Sequence, residues 1–452
     1  PGPARASRAP HACGAPAQKS AAMGPGQPRP ASVSAALALL LRQVAGAGAD
    51  ISYGVVFDAG SSGSRIHVYT WRGGGPAPFE LVEDRLVKRK PGLSSFAARP
   101  EAAGSSLDEL LAVAEETVPP ERRASTPVFL MASAGLRLLA EEARGRILES
   151  VRDRLAVTPF LFRREWAHVI SGRDESLFGW VTVNYLLGTL ASAGGGADRA
   201  GAGPTRATVD LGGGSVQLAF AVPSGVAVPE DHLCELSLGG RQHRLYCRSH
   251  LGFGLNEARR SAASALRLGQ EGVGVLEHPC LPVGHRLAYE TLDSTQQEFV
   301  GLGSYDRCAA LYSGLLDGQQ CHEPASCALG AAGQPSVRGG VLGFSYLYDR
   351  TRAIGLLDGD VQELGSQNMT LAAVQAAARG LCALVPSEVE ARFAVGDDSS
   401  KWPDFCGDVA YILVLLEKGF GIGVDVPLTM GNQLGETELV WTLGAMIVKS
   451  SE

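Results

Sequence analysis

Asp58-Ala59-Gly60-Ser61-Ser62-Gly63-Ser64-Arg65 is the stretch on which the fold turns. It follows the apolar run Tyr53-Gly54-Val55-Val56-Phe57 and precedes Ile66-His67-Val68-Tyr69, a pattern that predicts strand, glycine-rich turn and second strand, joined as a hairpin. Glycines and serines in the turn let the backbone approach a ligand closely and aim N–H and hydroxyl donors at one point, which suits a phosphate. Asp58 is not such a donor. An ionised carboxylate only accepts hydrogen bonds and repels the anion, so a cation must stand between them, a divalent metal holding water. A purely structural hairpin has the same local pattern.

The device recurs at Ala207-Thr208-Val209-Asp210-Leu211-Gly212-Gly213-Gly214-Ser215-Val216-Gln217-Leu218-Ala219-Phe220, again strand, Asp, glycine turn with serine, strand. Two such hairpins far apart in one chain predict a duplicated domain whose loops close on a shared phosphate from opposite sides, a nucleotide or polyphosphate site.

Between the hairpins, helices and strands alternate. Leu107, Leu110, Leu111 and Ala114 fall at helical spacing, and Pro127 to Met131 is a strand leading into Ala132-Ser133-Ala134-Gly135-Leu136-Arg137. Ser133, at that strand's C-terminal edge, either faces a phosphate or caps a helix. Glu175 to Tyr185 is an expected helix whose first acidic residues, Asp174 and Glu175, are dipole partners unless one is catalytic. Later come a glycine-punctuated turn at 249–255 opening a helix to about Leu268, an aromatic core segment at 343–349, an apolar helix from Asp408 to Phe420, and a closing apolar run at 439–446.

The 452 residues, 45% apolar against 19% charged, allow two globular domains, and a net charge of −7 with pI near 5.8 argues against a nucleic-acid surface. Residues before Met23 read as a Pro/Ala-rich leader; Arg29, the apolar segment Ala31 to Leu41 and Ala47-Gly48-Ala49 before Asp50 resemble a secretory signal with expected cleavage after Ala49, a flexible alanine-rich tail being the alternative. That apolar run, interrupted by Arg42, is too short to cross a bilayer, which takes about 20 residues, and no later stretch qualifies as a stable membrane span. Cys13 lies in the leader. The remaining cysteines, 234, 247, 280, 308, 321, 327, 382 and 406, lack zinc-site spacing and fit disulfides in an oxidising compartment, with buried free thiols as the alternative, and Asn368-Met369-Thr370 matches a glycosylation sequon, a pattern also common by chance.

Together these motifs resemble the apyrase family of nucleoside tri- and diphosphate hydrolases. Five segments match in order, namely Asp58 to Arg65, Ala132 to Leu139, Ile170 to Leu187, Val209 to Phe220, and Cys406 to Gly421 with Trp441 to Ala445. Lys90 to Ser94, Gly213 to Gln217 and Phe344 to Arg350 look most like plant-type apyrases, then the soluble secretory-pathway nucleoside diphosphatases. The resemblance implies an α/β chain of two actin-like (ribonuclease H-like) lobes with the active site in the cleft between them. Its boundaries would be 1–49 for leader and signal, 50–172 for lobe I with 428–452 returning to it, and 173–427 for lobe II.

By the same resemblance Glu175 is the general base, and Asp58 and Asp210 hold Ca²⁺ or Mg²⁺ through water. Ser61, Ser62, Gly63, Ser133, Gly213 and Gly214 bind phosphate, Ser215 and Gln217 position the attacking water, and Tyr348 stacks on the base. It also implies disulfides Cys280 to Cys308 and Cys382 to Cys406, and a protein of the endoplasmic reticulum or Golgi lumen, or secreted. Three departures stand out. Ser176 follows Glu175 where a glycine or alanine is usual, a small hydroxyl expected to fit with an effect on the base's reach left open, Ser133 replaces a threonine and keeps its hydroxyl, and Gly214 with Val216 removes a side-chain donor from the second loop; all three read as tolerated. A dedicated diphosphatase and a non-catalytic nucleotide-binding module are the competing readings.

Overall fold

Along the first strand, β1 (Ser52–Ala59), Val55, Phe57 and Ala59 bury against helices α1 (Asp108–Thr117) and α2 (Glu141–Ala156), while Val56 buries on the other face beside Trp180. Both faces are covered, which is why the sequence there is a continuous apolar run. The computed structural model describes residues 51–60, 62–74, 77–190, 204–238, 240–270, 274–317, 329, 333–357, 368–393, 399–424 and 426–451. The expected leader and signal, Ser61, Cys321, Cys327 and the side chain of Asn368 lie outside the described residues.

β1 pairs antiparallel with β2 (Ser64–Gly74), β2 with β3 (Ala77–Arg89), and β1 parallel with β4 (Val128–Ala132), which pairs parallel with β5 (Ala167–Val169). The sheet order is β3-β2-β1-β4-β5. The second sheet repeats this plan. β6 (Ala207–Leu211) pairs antiparallel with β7 (Ser215–Ala221), which pairs antiparallel with β9 (Arg241–Leu251). On its other side β6 runs parallel with β13 (Val341–Ser345), and β13 with β15 (Leu428–Met430). Three antiparallel strands followed by two parallel ones occur in both sheets, in the same order; this is the expected duplication. The second sheet adds β8 (Leu233–Leu238) and β14 (Asn368–Met369) at its edges, and β10 (Val275–His278), β11 (Arg286–Glu290) and β12 (Gln296–Gly301) form a small separate sheet. These additions alternate polar and apolar residues weakly and left no clear trace in the sequence.

Helix α3 (Gly172–Leu186) packs on β6, β7 and β9 and crosses the later helix Trp441–Ser451, which also touches β1 and β2. The crossing is close because position 444 has no side chain: a Cβ there would lie 2.0 Å from the Phe178 carbonyl oxygen. Thr182 ties the two helices, donating to Val440 O at 2.7 Å and accepting from Gly444 N at 2.8 Å.

Both implied disulfides are present, Cys280–Cys308 and Cys382–Cys406, closing separations of 28 and 24 residues. Loops of that length stabilise a fold by about 3–4 kcal/mol each in the chain-entropy view. Cys234 and Cys247, expected among the disulfides, are instead free and buried; Cys234 sits opposite Leu245 in the β8–β9 ladder, so the two thiols are diagonal neighbours and not a directly opposed pair.

Candidate active site

The two hairpin turns end at one cleft of about 530 Å³. They are built alike. Gly60 N donates to Gly63 O and Gly212 N to Ser215 O, both at 3.0 Å, and each aspartate occupies the penultimate position of its strand, Asp58 paired with Arg65 and Asp210 with Gln217. Asp58, Ser62, Gly63, Ser133, Glu175, Asp210, Gly213, Gly214, Ser215 and Gln217 all line this cleft. Among the described residues, the backbone N–H groups of Gly63, Gly213 and Gly214 donate to no carbonyl, leaving them for an anion. The second loop is held from behind by helix α4 (Leu255–Gly269), since Leu255 N donates to Gly212 O and Asn256 N to Gly213 O. Gly254 permits this approach: a Cβ there would lie 2.4 Å from the Gly213 carbonyl and the Ser215 nitrogen.

Local alternatives left open by the sequence are settled by hydrogen bonding. Ser171 caps α3 by accepting from Asp174 N at 3.0 Å and donating to the Asp174 carboxylate at 2.7 Å, so Asp174 is the capping acid and Glu175 faces the cleft. Ser133 precedes the turn Ala134–Arg137 but its hydroxyl makes no cap, and it lines the cleft. The Ser176 hydroxyl donates to Gly172 O at 2.8 Å and so is committed to its own helix. Val216 is fully buried in the core of the second sheet; its side chain belongs to packing, and the expected loss of a cleft donor at that position does not arise.

Glu175 is buried, and Gln217 Nε2 donates to its Oε2 at 3.2 Å. Gln217 is itself fixed by the hydroxyls of Ser215 and Ser249, the latter at 3.1 Å. Arg137, which does not line the cleft, ion-pairs with the same carboxylate oxygen and reaches Ser215 Oγ at 3.3 Å. Burial pushes the Glu175 carboxyl up to about 7; Arg137 opposes the shift, and Asp210 and Asp58 add to it. Asp210 is pushed up to about 6 by burial, against a hydrogen bond from Ser345 and the charge of Arg65. Burial also raises Asp58, although Arg65 Nη1 stands 3.5 Å from its Oδ2.

Sequence reasoning missed three contributors. Arg137 was visible only as a cation near Ser133, because its partner Glu175 is 38 residues away. Ser345 holds φ at 57° and ψ at −131°, an uncommon conformation for a residue with a side chain, at the edge of the cleft where its hydroxyl meets Asp210. Tyr346 is the third. Tyr348 does not line the cleft; it is 4% exposed and packs in the second core, whereas Tyr346 lines the wall. Both lie on helix α6 (Tyr346–Ala353), and at about 100° per residue two positions apart face opposite ways. The base-stacking role assigned to Tyr348 is therefore corrected by its burial. Ser61 lies outside the described residues.

Paired sheets of one plan with a phosphate-suited cleft between their hairpin turns define an actin-like α/β protein. Solved structures agree. A nucleoside triphosphate hydrolase from Neospora caninum superposes with TM-score 0.68 at 17% identity, covering 93% of this chain and 96% of that one. A Ppx/GppA family member from Aquifex aeolicus reaches 0.50 at 13% identity, covering 89% of this chain and 100% of that one. At the level of sequence, residues 46–452 match the GDA1/CD39 (nucleoside phosphatase) family, and the chain belongs to that family of hydrolases of nucleoside phosphates. It is 33% identical to a guanosine-diphosphatase of Schizosaccharomyces pombe, over 88% of this chain and 74% of that protein. It is 33% identical to a probable apyrase 1 of Oryza sativa subsp. japonica (91% and 84%) and 32% to ectonucleoside triphosphate diphosphohydrolase 5 of Gallus gallus (87% and 86%). Such even identities do not single out the plant type.

Proposed function

We propose that the protein hydrolyses the terminal phosphate of both nucleoside di- and triphosphates, with Glu175 as general base toward an in-line water and a divalent cation as cofactor. What supports this most is the setting of Glu175: a carboxyl between two donor-rich loops, oriented by Gln217 and Arg137, and brought by burial to about 7, where a base is ionised and still basic at neutral pH. Ser62, Gly63, Ser133, Gly213 and Gly214 surround the place for the phosphate, and Ser215 with Gln217 holds the water beside Glu175. Without a covalent intermediate, the work of the protein is positioning and neutralising the charge that spreads over the departing phosphate.

The residues present fit a divalent cation. Asp58 Oδ1 is buried with no hydrogen-bond partner, and two carboxyls raised by burial, Asp58 and Asp210, face the same cleft. Asp58 and Asp210 would hold Ca²⁺ or Mg²⁺ through water, and the ion would supply neutralisation of the phosphate oxygens. A lumenal or secreted location accords with the two disulfides. Among the described residues no helix is long and apolar enough to cross a membrane.

Phosphate release from UDP, GDP, ADP and their triphosphates, with and without EDTA, tests the proposal. Release from both classes, abolished by EDTA, is expected. Release from diphosphates alone would favour the narrower activity carried in the name of the S. pombe relative. Glu175→Gln should keep nucleotide binding and lose about 10²- to 10⁴-fold in turnover; no turnover by the unmutated protein would leave a binding module.

A further inference from the structure

We propose that Asp408, which does not itself line the cleft, is a positioning residue for the nucleoside half of it, fixing the guanidiniums of Arg259 and Arg350 beside Tyr346 in the cleft wall. This rests on the cleft being a nucleotide site.

Asp408 lies on helix α8 (Phe405–Val414) and is 1% exposed. Arg259, from α4, meets it with two nitrogens, Nε to Oδ1 at 2.8 Å and Nη2 to Oδ2 at 2.5 Å. Arg350, from α6, brings Nε to 2.9 Å of Oδ2. One carboxylate thus serves two guanidiniums from two other helices. The second compensating charge is Asp404, whose Oδ2 is 3.5 Å from Arg259 and whose other oxygen accepts from Tyr289. Two arginines against two aspartates make a neutral buried cluster, the condition under which such charges are tolerated.

The consequence reaches the cleft through the arginines. The Arg350 guanidinium carbon lies 5.1 Å from the Tyr346 ring centroid and 5.4 Å from that of Phe405, a planar cation held against two rings. Tyr346, Arg350 and Arg259 line the cleft together with Asn256, whose N–H donates to Gly213 O of the second phosphate loop. A volume of about 530 Å³ exceeds what a terminal phosphate fills, and an aromatic ring backed by an immobile guanidinium suits a base and its ribose. The anchor is braced in turn. Cys406, two positions before Asp408, is bridged to Cys382, and Cys280 packs so closely on Gly407 that a Cβ there would lie 3.0 Å from its own Cβ. Both disulfides therefore converge on the first turn of α8.

The test uses Asp408→Asn, equal in shape but unable to neutralise two guanidiniums. KM and kcat for GDP and UDP are measured beside the Ki of inorganic pyrophosphate, a competitor with no nucleoside. A rise in nucleotide KM of about tenfold, with kcat within about twofold and pyrophosphate Ki unchanged, is expected. KM and Ki moving in parallel, or an unchanged KM in the folded variant, would overturn the inference, since a general loosening affects both halves of the cleft. If Asp408→Asn does not fold, Arg350→Lys decides: it keeps a cation for Asp408 but takes the planar group from beneath Tyr346, and an unchanged nucleotide KM refutes the proposal. Failure of the unmutated protein to turn over either nucleotide would overturn the functional reading and this inference with it; turnover without divergence of KM from Ki overturns this inference alone.

Discussion

Replacing Arg137 by Gln removes the cation that, among the described residues, pairs with the Glu175 carboxylate, while leaving a side chain able to hydrogen-bond Ser215. Glu175 then keeps its burial and the repulsion of Asp210 and Asp58 without the opposing charge. A carboxylate beside an arginine is typically held down by about 1–3 pH units, so its loss should carry the base upward from about 7 by that amount, each unit being about 1.4 kcal/mol. At neutral pH, where half of the groups are ionised to begin with, the ionised fraction, and turnover with it, should fall by roughly 5- to 500-fold and recover as pH is raised. The assay is the pH profile of kcat at saturating nucleotide and cation for the unmutated protein, Arg137→Gln and Arg137→Lys, with Glu175→Gln as the floor. The lysine variant keeps the charge and should keep the acid limb near its original midpoint. An Arg137→Gln profile with a lowered plateau and an unmoved acid limb would refute the argument, because it would mean that Arg137 does not act through the ionisation of Glu175.

Burial lowers His278 to about 4, and its Nδ1 accepts from Cys280 N at 3.2 Å, which requires that nitrogen to be unprotonated. A lowered histidine contributes stability that is present above the unfolded value near 6.5 and lost as pH falls through that window, about 3 kcal/mol in all; denaturant midpoints should fall accordingly, and less so in His278→Gln. Gly254→Ala should displace the second phosphate loop, because its Cβ would meet backbone atoms at 2.4 Å; turnover should drop at least tenfold while the far-ultraviolet spectrum is retained, and normal kinetics would contradict the packing described. Peptide mapping of secreted protein should recover Cys280–Cys308 and Cys382–Cys406 as bridged pairs, with Cys234 and Cys247 alkylated only after unfolding.

The parts of this protein that the sequence announced are those where one short segment carries both pattern and chemistry. β1 and β6 are buried on both faces, carry Asp one residue before their ends and run straight into glycine turns, so strand, turn and ligand preference are all local. Family resemblance singled out Glu175, which lines the cleft, while its neighbour Asp174 carries the local cap signal. What stayed hidden depends on contacts between distant segments or on helical phase. Arg137 has no local mark of its partner. In Tyr346-Leu347-Tyr348 the motif offers two tyrosines, and only the start of α6 at the strained Ser345 decides which one turns to the cleft. Asp408 looked like an ordinary polar residue opening an apolar helix until Arg259 and Arg350 were seen to converge on it.

The helix Trp441–Ser451 bears on how the chain is made. Tyr69 hydrogen-bonds Thr442 across 373 residues, and Val56, Met131 and Trp180 share the cluster that this helix completes. At about 5–20 residues per second, the first strands wait on the order of 20–75 s for the segment that covers them. During that time the part of this cluster that the last helix covers lacks its native partner, and a ribosome stalled before residue 441 leaves a product with both phosphate loops synthesised and their shared core open.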